Sequence, residues 1–257
     1  MLQTTWLNYL DKTSAEDLSW GKMLYNYSDR LLKFILNVRS NTLPSPDNMR
    51  RWQRRGNLVC GLCSRPFVTS SHILAGCGWV FNWENKRVKE DRYTWRHNCV
   101  LSVIIRHLSS FLSRLHKLPR TKVSPNICFV SSGSTNTHRP RARPNTGLLQ
   151  RARDWKVDCD LPEWHSQGSR YVLPHKAIIS GSKPDIFLIS DSLKIIIFLE
   201  LTCPLEENMD HWRSEKTSRY SILSSSLVKG WSSHIFTIEV GAKGFVNNSS
   251  FFKTFGR

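Results

Sequence analysis

The sequence predicts an α+β protein, with a helical, cysteine-containing first half and a strand-rich second half built around a central mixed sheet. Three observations point there. Leu24, Leu31, Leu32, Ile35 and Leu36 recur at helical intervals, and so do Leu101, Ile104, Leu108, Phe111, Leu112 and Leu115. Four side chains that ligate soft metals fall between Cys60 and Cys77. Beyond residue 150, short β-branched runs separated by turn residues take over.

Taken in order, residues 14–39 are expected to form one helix. Ser14 and Asp17 stand at capping-box spacing, and Leu43-Pro44-Ser45-Pro46 must end the helix because proline cannot continue it. A second helix is expected from about Arg96 to Lys117. Residues 119–147 contain Ser131-Ser132-Gly133-Ser134 and Arg139-Pro140-Arg141-Ala142-Arg143-Pro144, which read as a flexible basic linker that also touches phosphate. The chain therefore divides into 1–118, 119–147 and 148–257.

In the last unit, Ile186-Phe187-Leu188-Ile189 and Leu193 to Leu201 make a hairpin across Ser190-Asp191-Ser192. Asn208 to Lys229 should be helical and end at Gly230, with Met209, Trp212, Tyr220, Leu223 and Leu227 on its buried side. His234 to Val240 reads as a further strand.

Charge gives the first functional hint. The 257 residues hold 37 Lys+Arg and 20 Asp+Glu, a net +17, which favours an anionic partner and nucleic acid above all. Arg50, Arg51, Arg54 and Arg55, with Arg139, Arg141 and Arg143 of the linker, are the candidate phosphate contacts. Trp52 and Trp95 are candidates for base stacking, although most of the ten tryptophans are expected in the core. No apolar run approaches membrane-spanning length, so no membrane partner is expected. The N-terminus lacks the pattern of a secretory signal, and seven cysteines is an odd number. Both favour a reducing compartment, with metal ligation rather than a disulfide framework.

Cys60-x2-Cys63-x8-His72-x4-Cys77 supplies the four ligands a tetrahedral zinc ion needs. The segment is too short to bury much apolar surface, so the metal would supply its folding energy. With all four positions filled by protein, the site is structural rather than catalytic. Cys99, Cys128, Cys159 and Cys203 have no such spacing and are expected to be ordinary thiols.

A second constellation is acidic. Asp185, in Lys183-Pro184-Asp185, opens one strand and Glu200 closes the next, fourteen residues lying between them. Pairing of the strands would bring the two carboxylates together as an oxygen-ligand site suited to Mg2+. Such an ion activates water and stabilises phosphate during in-line displacement. This is the arrangement of the PD-(D/E)xK nucleases, except that Thr202 occupies the position of their usual lysine, and Lys216 from the following helix is its candidate replacement. Asp158 and Asp160 are weaker candidates for the same site.

The order of these pieces resembles the C-terminal region of non-LTR retrotransposon polyproteins, in which a zinc knuckle and a restriction-like endonuclease follow the reverse transcriptase. Four stretches carry the resemblance: Leu31 to Trp52 with Asn41-Thr42-Leu43-Pro44-Ser45-Pro46-Asp47-Asn48; Cys60 to Cys77 with Tyr93-Thr94-Trp95-Arg96-His97-Asn98; Lys183 to Tyr220 with Glu200-Leu201-Thr202-Cys203-Pro204-Leu205-Glu206; and Gly230-Trp231 with Ile238-Glu239-Val240-Gly241-Ala242-Lys243-Gly244. The family also has threonine after the second acid, and then a helix lysine and tyrosine. Leu205 and Arg219 depart from its common residues.

The resemblance implies a metal-dependent DNA endonuclease that nicks target DNA to prime reverse transcription. Asp185, Glu200 and Lys216 would be catalytic, supported by Tyr220 and Glu206, with a structural Zn2+ and a catalytic Mg2+. It implies DNA as partner, element RNA as a further candidate, the reverse transcriptase of the parent polyprotein, and a nuclear location. No YxDD-like sequence occurs, so no polymerase activity is expected of this chain. The alternatives are a non-catalytic nucleic-acid-binding zinc-knuckle protein and a decayed retroelement remnant.

Overall fold

The computed structural model describes residues 26–56, 58–81, 92–117, 147–165, 172, 174 and 183–247. Helix α1 (Asp29–Arg39) is capped by Ser28, whose hydroxyl accepts from the Leu31 N–H. Residues 27 and 28 are not helical, which corrects the single helix expected from residue 14. The local cap at Ser28 starts a new element there, and the proposed box at Ser14 lies outside the described residues.

Helix α2 (Pro46–Arg51) carries proline in its first turn, where the missing N–H costs nothing, and Ser45 caps it. The buried Asn48 amide donates to the carbonyls of Asn41 (2.9 Å) and Leu43 (2.8 Å), tying α2 to the turn that follows α1. After the short α3 (Gly78–Phe81) comes α4 (Arg92–Lys117), which begins a turn earlier than the apolar spacing predicted. Its buried stripe is Leu101, Ile105, Leu108, Leu112 and Leu115, with Ile104 and Phe111 only partly covered.

Four strands follow: β1 (Lys156–Cys159), β2 (Ile186–Ser190), β3 (Ile195–Thr202) and β4 (Ser232–Glu239). They form one mixed sheet in chain order, with β1/β2 and β2/β3 antiparallel and β3/β4 parallel. A parallel pair needs a crossover, and α5 (Met209–Ser225) provides it between β3 and β4.

Each sheet face is covered by a different element. Ile195, Ile197, Leu199 and Leu201 pack with the buried stripe of α4, while Ile196 and Phe198 join Phe187, Ile189 and Tyr220 of α5. All eight residues of β3 are buried, which is why its sequence is apolar without alternation. Helix α4, assigned by sequence to the N-terminal unit, thus shares one core with the strands.

Several element bounds differ from expectation. The hairpin turn includes Leu193 and Lys194, and Lys194 takes a positive φ of 54°, so β3 starts at Ile195. Helix α5 stops at Ser225 rather than running to Lys229. Trp212 is exposed, not buried. Strand β4 starts earlier and ends at Glu239. Strand β1 carries alternating charge and no apolar run, and only its pairing with β2 makes it a strand. Among the described tryptophans, Trp155 is fully buried but Trp52, Trp79, Trp95, Trp164 and Trp212 are exposed, which corrects the expectation that most are core. The linker of residues 119–147, with Arg139, Arg141 and Arg143, lies almost wholly outside the described residues. No described helix is long and apolar enough to cross a membrane.

The hairpin turn is held from outside. Asp154 Oδ1 accepts from the Ser190 and Ser192 hydroxyls (2.7 Å each), and Oδ2 accepts from the Ser192 N–H (2.8 Å). Burial pushes this carboxyl up, but the bonds from Ser192 and Ser190 outweigh it and hold the group at about 2. Asp154→Asn should cost about 1–2 kcal/mol in urea unfolding at neutral pH, a range that allows for solvent screening. A depressed carboxyl stabilises the fold above its unfolded value of 3.8. The difference between wild type and variant should therefore be constant above that pH and shrink as pH falls towards about 2. A difference independent of pH would show that the ionised carboxylate contributes nothing.

Candidate functional site

Two clusters of chemically capable side chains emerge from this fold. The first is Cys60, Cys63, His72 and Cys77, whose ligand atoms all lie within 4.8 Å of one another. A tight turn returns the Ser64 N–H to the Cys60 carbonyl (2.9 Å), and Ser64 takes a positive φ of 57°. His72 opens a single π-helical turn, His72–Gly76, that ends at Cys77. Cys60 Sγ and Cys77 Sγ are 3.9 Å apart, and Cys63 Sγ lies 3.3 Å from His72 Nε2. A tetrahedral zinc with bonds of about 2.3 Å to sulfur and 2.0–2.1 Å to nitrogen needs edges of about 3.8 and 3.5 Å.

The Cys60 thiol is held down at about 6, mainly by hydrogen bonds from the Cys63 and Leu62 N–H groups, which favours the thiolate form that a metal binds. The Cys3His group fits a metal ion such as zinc in chemistry and spacing. Its own small core, with Val68 and Ile73, is separate from that of the sheet. Cys159 and Cys203, by contrast, are buried thiols pushed up to about 12 by desolvation.

The second cluster lies at one end of the sheet. The ladder pairs Ile186 with Leu199, and one further step sets Asp185 opposite Glu200. The Asp185 N–H donates to Glu200 Oε2 (3.2 Å), and the Leu201 N–H donates to Asp185 Oδ2 (2.7 Å). From one face, α5 extends Lys216 to bond Glu200 Oε1. From the other face, α4 brings His97 Nε2 to 3.2 Å from Asp185 Oδ2. The structure thus brings Asp185, Glu200 and Lys216 together and adds His97.

Burial sets the electrostatics of this end. Glu200 is 2% exposed, and desolvation together with the Asp185 charge pushes its carboxyl up, against the opposing pull of Lys216. Desolvation works against protonated His97, but the hydrogen bond and charge of Asp185 prevail and raise its pKa. Along α5, Trp212 is exposed, Lys216 half-buried and Tyr220 buried, so the stripe they form runs from solvent into the core. The Tyr220 hydroxyl donates to the Lys183 carbonyl (3.1 Å), and burial pushes its pKa up. Tyr220 therefore fastens the chain just ahead of Asp185.

The remaining candidates are placed elsewhere. Glu206 is buried and its Oε1 accepts from the Lys243 N–H (2.6 Å), so it secures the turn after β4. Asp158 Oδ1 accepts from the Cys159 N–H (2.8 Å), with His165 Nε2 at 3.7 Å. The Asp160 N–H donates to the Asp185 carbonyl (2.9 Å), a backbone contact only. All four arginines of that run are exposed, and Arg50 and Arg51 pair with Asp47 at 3.0 and 2.8 Å.

His97 is the residue that sequence reasoning gave no role. Its signal was its position, one helical turn before Leu101 on the stripe that α4 buries, where a polar side chain requires a partner. Arg96 beside it joins the two clusters. Its Nη1 donates to the Leu74 carbonyl (3.0 Å) in the cysteine segment, and its Nη2 donates to the Cys203 carbonyl (2.7 Å) after β3. No protein-family model matches the chain, and no curated protein matches it.

Proposed function

We propose that the chain is a Mg2+-dependent DNA endonuclease module of a non-LTR retrotransposon, with a structural zinc unit beside it. The observation that carries this reading is the meeting of Asp185, Glu200 and Lys216 at one sheet end, two carboxylates and a helix lysine supplied by separate elements. Asp185 and Glu200 would hold the Mg2+, which when bound polarises a phosphate oxygen and lowers the pKa of its water.

The protein's own groups prepare that site. The Leu201 N–H and His97 orient the Asp185 carboxylate before substrate arrives. Lys216 holds Glu200 and places an ammonium where negative charge develops on phosphate. Tyr220 fixes the approach to Asp185 through the Lys183 carbonyl, so it and His97 are positioning residues. In the family the chain resembles, the freed 3′-hydroxyl primes reverse transcription, with the polymerase contributed by the parent polyprotein in the nucleus.

The test is to incubate the purified chain with supercoiled plasmid. Nicked circles should appear with Mg2+ and disappear with EDTA. Binding without nicking at any Mg2+ concentration would reject the endonuclease reading and leave a binding protein.

A net charge of +17 further predicts phosphate-dominated binding. The slope of log affinity against log salt on duplex DNA should flatten by about 0.9 for each phosphate contact removed. Arg54→Ala and Arg55→Ala should each flatten it more than Arg50→Ala, because Arg50 is already paired with Asp47. Affinity that does not change between low and moderate salt would contradict this.

A further inference from the structure

Helix α1 is poorly covered for its composition. Of its 11 residues only Val38 is buried, although Leu31, Leu32, Phe34, Ile35 and Leu36 are apolar as well. Leu31, Phe34, Ile35 and Val38 stand at i, i+3, i+4 and i+7, so they form one stripe. Phe34, Ile35 and Val38 open onto a cavity of about 970 Å3, whose other walls come from the cysteine segment, the start of α4 and the turn after β4. Trp79 and Trp95 line it too, and with Phe34 they are more than half exposed. Two of its three charged wall residues are already engaged. Arg96 donates to the Leu74 and Cys203 carbonyls, and Lys243 pairs with Glu207. What the cavity offers an occupant is therefore an aliphatic and aromatic surface. Leu31, 43% exposed, continues that surface one turn towards the start of α1.

A helix this short is marginal in water on its own, and its stability comes from an apolar face that a neighbour covers. Residues 1–25, which lie outside the described residues, lead into the end of α1 where the stripe emerges. They contain Leu2, Trp6, Tyr9 and Leu10, at i, i+4, i+7 and i+8, which is a matching apolar stripe. We infer that residues 2–10 dock as a helix along the α1 stripe and into the cavity, setting these four side chains against Leu31, Phe34, Trp79 and Trp95. Nine helical residues rise about 14 Å, close to the length of α1 at about 16 Å. Residues 11–25 span up to about 50 Å, far more than the return requires. Charge favours this segment over the other end of the chain. The exposed Arg92 on the cavity wall would meet Asp11, Glu16 and Asp17 from residues 1–25, whereas residues 248–257 bring Phe251, Phe252 and Phe255 with Lys253, Arg257 and no acid. The inference requires no nucleic acid and is independent of the nuclease reading.

The test is hydrogen exchange on the full chain, read segment by segment. Phe34→Glu and Leu31→Glu alter the groove, and Trp6→Glu combined with Leu10→Glu alters the segment. Leu31 lies outside the cavity wall, so its variant tests docking even where Phe34→Glu disturbs the cysteine segment. Zinc content and the protection of β2 and β3 report that the rest of the fold is intact. In wild type, residues 2–10 and 31–38 should both be protected. Each groove variant should speed exchange across residues 2–10 at least about 10-fold, and the segment variant should do the same across residues 31–38, with β2 and β3 unchanged. Residues 2–10 that exchange at the unprotected rate in wild type would overturn the inference. So would protection there that survives both groove variants, or protection of residues 31–38 that survives the segment variant. Protection of residues 31–38 that disappears on dilution together with a dimer would overturn it in favour of a second copy of the chain. Protection that disappears with Phe251→Glu and Phe252→Glu, and not with the segment variant, would overturn it in favour of residues 248–257.

Discussion

Asp185→Asn and Glu200→Gln should each reduce Mg2+-dependent plasmid nicking by at least about 100- to 1,000-fold, while DNA binding stays within a few-fold of wild type. The two carboxylates lie opposite each other across β2 and β3, and each is held by donors that remain when the charge is removed. The amide variants preserve shape, so a loss of nicking reports the loss of charge. Glu200→Ala is a poorer probe. It strips the partner from half-buried Lys216, and breaking a buried pair costs about 3–5 kcal/mol. His97→Ala should lower the rate less than either amide variant, because it only releases one hold on Asp185.

The same site carries a pH dependence. Burial and the Asp185 charge raise the Glu200 carboxyl, and a protonated carboxyl does not ligate Mg2+. Mg2+ affinity should therefore rise with pH through a value above the ordinary glutamate 4.5, and Glu200→Gln should abolish that titration. Wild-type nicking that persists undiminished in both amide variants would place the chemistry elsewhere.

Cys63→Ser should remove the metal and unfold residues 58–81 while the sheet stays folded. The segment's buried cluster is Cys60, Val68 and Cys77 with two partly covered neighbours, too little apolar surface to hold a fold unaided. Structural zinc in comparable sites contributes on the order of 10 kcal/mol or more. One zinc per chain is expected by metal analysis, and hydrogen exchange should show residues 58–81 losing protection in the variant. The sheet has its own core, so β2 and β3 should keep theirs. Arg96 fastens this segment to the end of the sheet and would lose Leu74 but retain Cys203, so α4 should loosen at its start rather than along its length. Protein purified without chelator yet free of zinc, or equal loss of protection in β3, would contradict this account.

The sequence alone was sufficient where the determining interactions are local. The Cys60-to-Cys77 spacing encodes a ligand set that closes within eighteen residues, and the apolar runs around Ser190 encode a hairpin that carries Asp185 and Glu200 to the same end. Their direct pairing came only with the structure, because the turn also takes in Leu193 and Lys194, whereas helical spacing placed Lys216 on the stripe that ends at Tyr220.

What the sequence could not determine depended on elements far apart in the chain. Strand β1 is polar and short, and it is a strand because β2 offers it an edge. His97 meets Asp185 across 88 residues of chain, through the packing of α4 on the face opposite α5. Glu206, expected to support the carboxylate site, is instead buried on the Lys243 N–H. The tryptophans mislead composition in the same way, because whether an aromatic ring is core or surface depends on what packs over it. Local spacing specifies which side chains share a face, whereas only the docking of whole elements decides what that face meets.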